Sequence, residues 1–518
     1  MGIFLDNTSL ELSVVITVLI TIGYLYIKYI YSFWDRNNVK SLKPIFPFGN
    51  FSSVFFAKTS ITDFVRDIYE STCGEDFIGL YAIFRPILFV RNSDLCRNIL
   101  IKDFQSFHDR GVYVNEKKDP LSGHLFSLSG EKWKQLRAKL TPAFTSGRLK
   151  AMFQTLIDCG VNLEEFINVQ ADQGTEIEMR DLMARYTTTV IASVGFGIEE
   201  DSIVQPNAPF RMNGRKVFAP TLKNGLRNML FLMAPKVAKM ISLKTVDNDY
   251  EDFIFSMVKQ SIDYREKSGI QRKDFIQLLL QLRNTGKVDY GDDWNFVSSK
   301  EDSKKLTIGE FAAQVHVFFL AGFETSSTLM SFCLYELAKN PHILKKVQEE
   351  IDQVIRRHDG KWTYDAVMEM KYLDSCLDET LRMYPPVPIL NRECTEDYKI
   401  PGTSTIIKKG TAIFIPIIGL HYDPKFYSNP MDFQPERFTN GQVPTNTSCY
   451  LPFGDGPRIC IGLRLGKLQA RIGLATIVSK FNVHLGEKLK GAMPKYAPES
   501  IVPAPIGGLK MRVSRRKM

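Results

Sequence analysis

Cys460 is the residue best placed to do chemistry. It lies in Phe453-Gly-Asp-Gly-Pro-Arg-Ile-Cys-Ile-Gly462, with glycines at 454, 456 and 462 and Arg458 two residues before it. Glycines at this density let the backbone turn sharply, so that its N–H groups point toward the sulfur. The helical pattern Leu463–Val478 follows at once and presents its N-terminus there. Inward N–H groups, a helix dipole and a nearby cation are the conditions that hold a cysteine as thiolate. Such a thiolate serves as a nucleophile or as a metal ligand. No histidine neighbours it in sequence to serve a nucleophile, and a plain buried thiol would leave the glycines and Arg458 without a purpose.

Two further groups stand out. Phe311–Cys333 is apolar apart from polar residues such as Gln314, His316 and Ser326–Ser331, and carries one formal charge, Glu324, followed by Thr325. Burying an unpaired carboxylate is costly, so Glu324 needs a reason, and Ala321-Gly322 just before it allows close approach to the backbone. Glu379 and Arg382 stand three apart in a helical stretch, Lys371–Met383, that ends before Pro385-Pro386. Residues at that spacing share a helix face and can pair, on the surface or in the core.

These residues need elements to hold them. Thr307-Ile-Gly-Glu310 reads as a capping box and Asn340-Pro341 as a stop, so a long core helix is expected between them; it is too polar for a membrane span. Apolar residues at helical spacing predict further helices over Gly130–Phe144, Phe153–Asn168, Asp181–Ser193, Asp249–Lys267 and Phe275–Leu282. Strand-like runs are few: Phe77–Tyr81, Ile87–Val90, Ile406–Ile407 and Thr411–Ile415. A mainly α fold with a small β-sheet region is expected, as one large domain over residues 51–518.

The N-terminal segment is different. Leu12–Trp34 is nearly uncharged and long enough to span a bilayer, with Tyr29, Tyr31 and Trp34 suited to an interfacial belt. Lys28 near its end, able to snorkel to the headgroups, and Arg36, Lys40 and Lys43 after it predict an uncleaved anchor (residues 1–34) with the body on the cytosolic side. The proline-containing stretch 35–50 reads as a hinge. Leu226–Pro235, apolar with one arginine, reads equally as an interfacial loop or as a core helix segment.

Composition narrows the function. The 518 residues are 44% hydrophobic and carry 66 Lys+Arg against 57 Asp+Glu, a formal charge of +9 without any dense basic block. That argues against nucleic-acid binding and leaves an anionic membrane or an acidic protein partner open. None of the 8 cysteines forms a C-x-x-C pair and the 7 histidines form no H-E-x-x-H, which excludes zinc ribbons, thioredoxin sites and the common metalloproteases.

Taken together, these motifs resemble the cytochrome P-450 superfamily of haem-thiolate monooxygenases over nearly the whole chain. FGDGPRICIG fits F-x-x-G-x-R-x-C-x-G at every fixed position. Trp133-Lys-Gln-Leu-Arg137, AGFET (321–325), ETLR (379–382) and Pro435-Glu436-Arg437-Phe438 match the family's other motifs in order. The stretches FHDRGVYVNEKKDPLSGHLFSLSG and WKQLRAKLTPAFTSGRLK look like insect microsomal detoxification members. The resemblance implies the cytochrome P-450 fold, haem b as cofactor and Cys460 as the axial iron ligand. It implies that Trp133, Arg137, Arg392 and Arg458, with Arg110 as a further candidate, hold the haem propionates. It implies a structural ion network of Glu379, Arg382 and Arg437, and oxygen activation assisted by Thr325 with Glu324. It also implies O2 as co-substrate and an apolar small-molecule substrate, xenobiotic or lipid-like. Electrons would come from NADPH through a membrane-bound reductase, with cytochrome b5 as a further partner, at the endoplasmic reticulum membrane. Lys132, Lys134, Lys139, Arg464 and Lys467 would face that reductase. The alternatives on the same chassis are an oxygen-independent haem-thiolate isomerase and a non-enzymatic haem sensor.

Overall fold

The capping box at Thr307 forms as expected and starts the longest helix of the body. Glu310 N–H donates to Thr307 Oγ1 at 3.2 Å while Thr307 N–H donates to Glu310 Oε2 at 2.8 Å, which satisfies two backbone donors at the helix N-terminus. The helix then runs unbroken from Ile308 to Lys339, 32 residues, and Pro341 forces the next helix to start afresh. At 1.5 Å per residue it is about 48 Å long. Most of it is buried, so it is a core helix although its length and apolarity would also suit a membrane. The helices Met179–Val190, Lys371–Met383 and Leu463–Lys480 pack along it.

The computed structural model describes residues 3–286, 305–441, 447–491 and 495–517. Within them the fold is mainly α. One sheet has four strands in the order Phe77–Ala82, Arg85–Val90, Ala412–Pro416, Ile389–Glu393, with antiparallel, parallel and antiparallel neighbours. A second joins Glu176–Glu178, Lys510–Arg515 and Phe481–Leu485, and Tyr398–Lys399 pairs with Ile406–Ile407. The first sheet matters for the site because its edge strand carries Arg392, paired in register with Ile413 and buried.

Several elements differ from the periodicity. The helix expected to end at Asn168 continues to Gln173, where Gly174 (φ 63°) caps it in the left-handed conformation that glycine adopts without strain. The helix expected from Asp181 starts at Met179, because the Glu178 carboxylate accepts from the N–H groups of Arg180 and Asp181. It passes into a π-helical turn, Ile191–Phe196. Leu226–Pro235 is no loop: Leu222–Met233 is a helix that buries Met229 and Met233 and leaves Leu222 and Leu226 exposed.

The N-terminal helix covers Ile3–Tyr31, and Leu10–Tyr31 is long and apolar enough to cross a membrane with none of it buried in the body. Trp34, expected in the anchor, is instead part of the core, only 2% exposed. Its indole N–H donates to Leu80 O at 2.9 Å and its backbone N–H to Tyr81 Oη at 3.1 Å. Gly79 makes this possible, since a Cβ there would lie 2.3 Å from the indole. The stretch read as a hinge is likewise docked on the strand Phe77–Ala82. Gly79 N–H donates to Lys40 O, Leu42 N–H to Gly79 O and Asn50 N–H to Tyr81 O, at 2.8–3.1 Å. The part of the N-terminal segment that stands clear of the body therefore ends near Tyr31. Trp34→Ala should cost about 3–5 kcal/mol, as for other buried large-to-small changes. The thermal unfolding midpoint of the full chain should fall accordingly, and an unchanged midpoint would mean that the indole is not part of the core.

Candidate functional site

Cys460 lies near the end of the glycine-rich loop and is exposed, although Arg458 two residues before it is buried. Gly456 (φ 69°) allows the loop's tight approach, because a Cβ there would sit 1.9 Å from Leu100 O. Cys460 N–H donates to Phe453 O at 2.9 Å, which folds the loop back on itself. Desolvation pushes the thiol pKa up, while the Gly462 N–H and the Arg137 and Arg110 guanidiniums pull it down. The loop thus supplies an N–H group as expected from the sequence, but the cations that act on the sulfur are Arg137 and Arg110 from outside the loop rather than Arg458, and together they do not fully offset burial.

Four guanidiniums gather on the side of Arg458. Arg458 stacks on Trp133, 4.1 Å from the ring centroid, and donates to the backbone oxygens of His108 (2.6 Å) and Leu128 (2.8 Å). Arg137, on the Gly130–Leu140 helix with Trp133, donates to Ile459 O at 2.9 Å. Arg110 donates to Phe126 O at 3.0 Å, and Asn391 Nδ2 donates to Arg110 O at 2.8 Å, tying it to the strand of Arg392. Arg392 is 1% exposed; its Nη1 donates to Asn391 O, but Nε and Nη2 have no partner. Burial lowers the pKa of Arg392 to about 10. Burial, and then Arg392, lower that of Arg458 to about 9, with Asp109 opposing. Arg110 is driven down by burial and then by Arg392 and Arg458. Among the described residues Asp109 is the one carboxylate that pairs with any of the four, 3.5 Å from Arg458.

This donor set asks for an anion. Buried cations that depress one another, and two buried N–H groups without acceptors, are stabilised by a ligand with carboxylates at that end. The same ligand must meet a sulfur at the other end. No group of three His, Cys, Asp or Glu among the described residues could hold a bare metal ion. A metal held by Cys460 must therefore bring most of its coordination sphere with it. A porphyrin with two propionates meets both requirements, so the residues fit a haem.

The comparisons agree. The family model for cytochrome P450 matches residues 40–508. The chain belongs to the cytochrome P450 family. It is 40% identical to probable cytochrome P450 6d5 of Drosophila melanogaster over 96% of this chain and 98% of that protein. It is 41% identical to cytochrome P450 6a2 of the same organism over 95% and 97%, and 38% identical to cytochrome P450 6d1 of Musca domestica over 96% and 98%. As a family member it is a haem-iron protein of the monooxygenase type.

Within the cytochrome P450 frame the structure brings Glu379, Arg382 and Arg437 together. Arg382 donates twice to Glu379, at 2.8 Å each, and both side chains are fully buried. Arg437 Nε approaches Glu379 Oε1 at 3.3 Å, and Gln434 N–H donates to the same oxygen at 2.9 Å. Desolvation lowers the Arg382 pKa, but the bond to Glu379 more than offsets it and the net shift is upward.

Thr325 and Glu324 are not brought together. Thr325 is half-buried on the face of the long helix that carries Ala321, which is exposed in the middle of a buried stretch. Its hydroxyl donates to Ala321 O at 2.7 Å. Glu324, 100° further round the helix, is ion-paired to Arg180. It lines a separate cleft of about 690 Å³ with Arg180, Asp181, Arg211, Arg215 and Phe218, and no residue of the 453–462 loop is on that wall. The basic face is also partly spent. Lys132 pairs with Glu116 at 2.5 Å and Lys467 with Asp378 at 2.8 Å, whereas Lys134 and Arg464 are exposed.

Sequence reasoning missed Asp109. Asp109 accepts from Gly130 N–H at 2.7 Å, so it fixes the start of the Trp133 helix as well as facing Arg458. Nothing in the stretch around it marks it apart from other aspartates. Glu379→Ala would strand two buried guanidiniums and should cost about 3–5 kcal/mol. Expression should give little haem-loaded protein; a stable, haem-replete variant would mean that the pair contributes no more than a surface salt bridge.

Proposed function

We propose that this chain is a microsomal monooxygenase that inserts one atom of O2 into apolar small molecules, xenobiotic or lipid-like, and releases the other as water. The two electrons come from NADPH through a membrane-bound flavoprotein reductase, with cytochrome b5 as a second donor. What carries the reading is the surplus of positive charge, with unpartnered guanidinium nitrogens, gathered beside the exposed Cys460 within a chain of this family. The helix Leu10–Tyr31 supports an anchor in the endoplasmic reticulum membrane, with the basic residues after it and the body on the cytosolic side.

The residues divide the work. Cys460 holds the iron and, as thiolate, lends it electron density. Arg110, Arg137, Arg392 and Arg458 hold the propionates, and Trp133 stacks on Arg458 to fix its plane. When bound, the haem supplies the oxygen chemistry itself. The Thr325 hydroxyl spends its own proton on Ala321 O, which leaves the oxygen's lone pairs as acceptors. It therefore accepts one proton of a water at Oγ1 and so orients that water, whose second proton is left to donate. Glu324, paired with Arg180 and lining the outer cleft, serves at the solvent end of proton supply. Exposed Lys134 and Arg464 are the basic residues with charge left for an acidic reductase.

Full-length protein with reductase and NADPH, offered a mixed apolar library, should yield products heavier by one oxygen. Thr325→Ala should keep its haem and its helix, since alanine is the better helix former. Product per NADPH should fall by about two- to tenfold, the factor set by one hydrogen bond of about 0.5–1.5 kcal/mol, with peroxide rising in its place. An unchanged ratio would make Thr325 a packing residue only.

A further inference from the structure

Four successive carbonyls of the long helix, at residues 321–324, each accept a side-chain hydrogen bond. Ala321 O accepts from Thr325 Oγ1 at 2.7 Å, and Glu324 O from Ser327 Oγ at 2.9 Å and Thr328 Oγ1 at 2.8 Å; these donors belong to the helix itself. The other two come from outside. Gly322 O accepts from Gln469 Nε2 at 3.0 Å, and Phe323 O from Thr187 Oγ1 at 2.9 Å. Carbonyls one residue apart point 100° apart around a helix, so Gln469 and Thr187 grip this turn from two different sides.

Gln469 sits on the Leu463–Lys480 helix, nine residues after Cys460. It is 1% exposed, and its Nε2 also donates to Ser326 Oγ, one turn beyond Gly322. Its Oε1 is buried with no partner. Rotating the amide would let the Ser326 hydroxyl donate to Oε1, but it would set that oxygen against the Gly322 carbonyl and lose the bond there. Leaving a buried acceptor unpaired costs about 1–3 kcal/mol, a cost that an apolar side chain of the same length would avoid. Thr187, on the Met179–Val190 helix, has one proton and three carbonyls in reach; Phe323 O, at 2.9 Å, is nearer than Met183 O (3.0 Å) or Ala184 O (3.3 Å). Tyr186 Oη meets Gln469 O at 3.4 Å, so the two gripping helices also touch each other.

We propose that Gln469 and Thr187 are positioning residues: they fix the rotation and depth of the 321–325 turn and so set where Thr325 Oγ1 stands relative to Cys460. Gln469 is rigidly joined to the cysteine loop through one helix. Any shift of the loop is thereby transmitted to the turn that carries Thr325, and the two sides of the site keep a fixed separation. The catalytic part of this inference rests on the monooxygenase reading; the grip itself does not.

The test uses full-length, haem-loaded protein with Gln469→Met, Thr187→Val and the conservative Thr187→Ser. Amide hydrogen exchange is followed over residues 320–328, with the 371–383 helix as reference. Exchange in the first segment should rise on the order of fivefold in Gln469→Met and Thr187→Val, the factor for one net hydrogen bond of about 1 kcal/mol, and return in Thr187→Ser. The reference helix should not change. Product per NADPH should fall in the same two variants, while haem content and the spectrum of the reduced carbon monoxide complex stay as in the parent. Unchanged exchange over 320–328 in both variants would overturn the grip, and a uniform rise over both helices would overturn it in favour of ordinary packing. A parent protein that forms no product would instead defeat the monooxygenase reading, and the exchange result would still decide the grip.

Discussion

Positive charge is buried around Cys460 in excess of the carboxylates that could balance it. Arg110, Arg137, Arg392 and Arg458 are held by backbone oxygens, by Trp133 and by one distant carboxylate, Asp109. Backbone carbonyls orient a guanidinium but do not neutralise it, and the downward shifts at Arg392, Arg458 and Arg110 express that deficit. Much of the fold serves to hold this arrangement. The edge strand Ile389–Glu393 buries Arg392, the Gly130–Leu140 helix presents Trp133 and Arg137, and the glycine loop brings Arg458 and Cys460. A dianionic porphyrin bound there would turn this unfavourable burial into a binding force, and cofactor affinity and protein stability would then be linked.

The second carboxylate–arginine arrangement is built on the opposite principle. Glu379 is saturated by Arg382, Arg437 and the Gln434 N–H, with no group left over for a ligand. It joins the Lys371–Met383 helix to the 435–441 turn, and the same helix packs on Leu463–Lys480, the helix that follows Cys460. One cluster is complete; the other is left with unpartnered donors, as a cofactor-binding group would be. Satisfaction of hydrogen bonds separates the two where residue type does not.

What the sequence reveals follows from how local the information is. The capping box at Thr307, the stop at Pro341 and the turn chemistry of the 453–462 loop depend on near neighbours, and the structure follows them closely. Glu379 with Arg382 is visible as a spacing, and its burial rests on packing that no spacing encodes. Glu324 and Thr325 are adjacent in sequence, yet a helix turns 100° between them, and the side each faces depends on where the Met179–Val190 helix brings Arg180. Trp34 reads as the end of an apolar run because its receptor, the strand around Gly79, lies far along the chain. Gln469 carries no sequence signal at all. Its role exists only once the helix after Cys460 lies against Gly322.

The central claim is that Cys460, and no other thiol of this chain, is the sulfur at the iron. Six of the other seven cysteines are buried, and Cys73 is exposed far from the glycine loop in sequence. The absorption spectrum of the reduced, carbon monoxide-bound protein tests the claim most directly, because thiolate ligation shifts the Soret band to the red. The parent chain should show the shifted band, and Cys460→Ala should lose either the haem or the shift. A Cys460→Ala protein that keeps both would contradict the account.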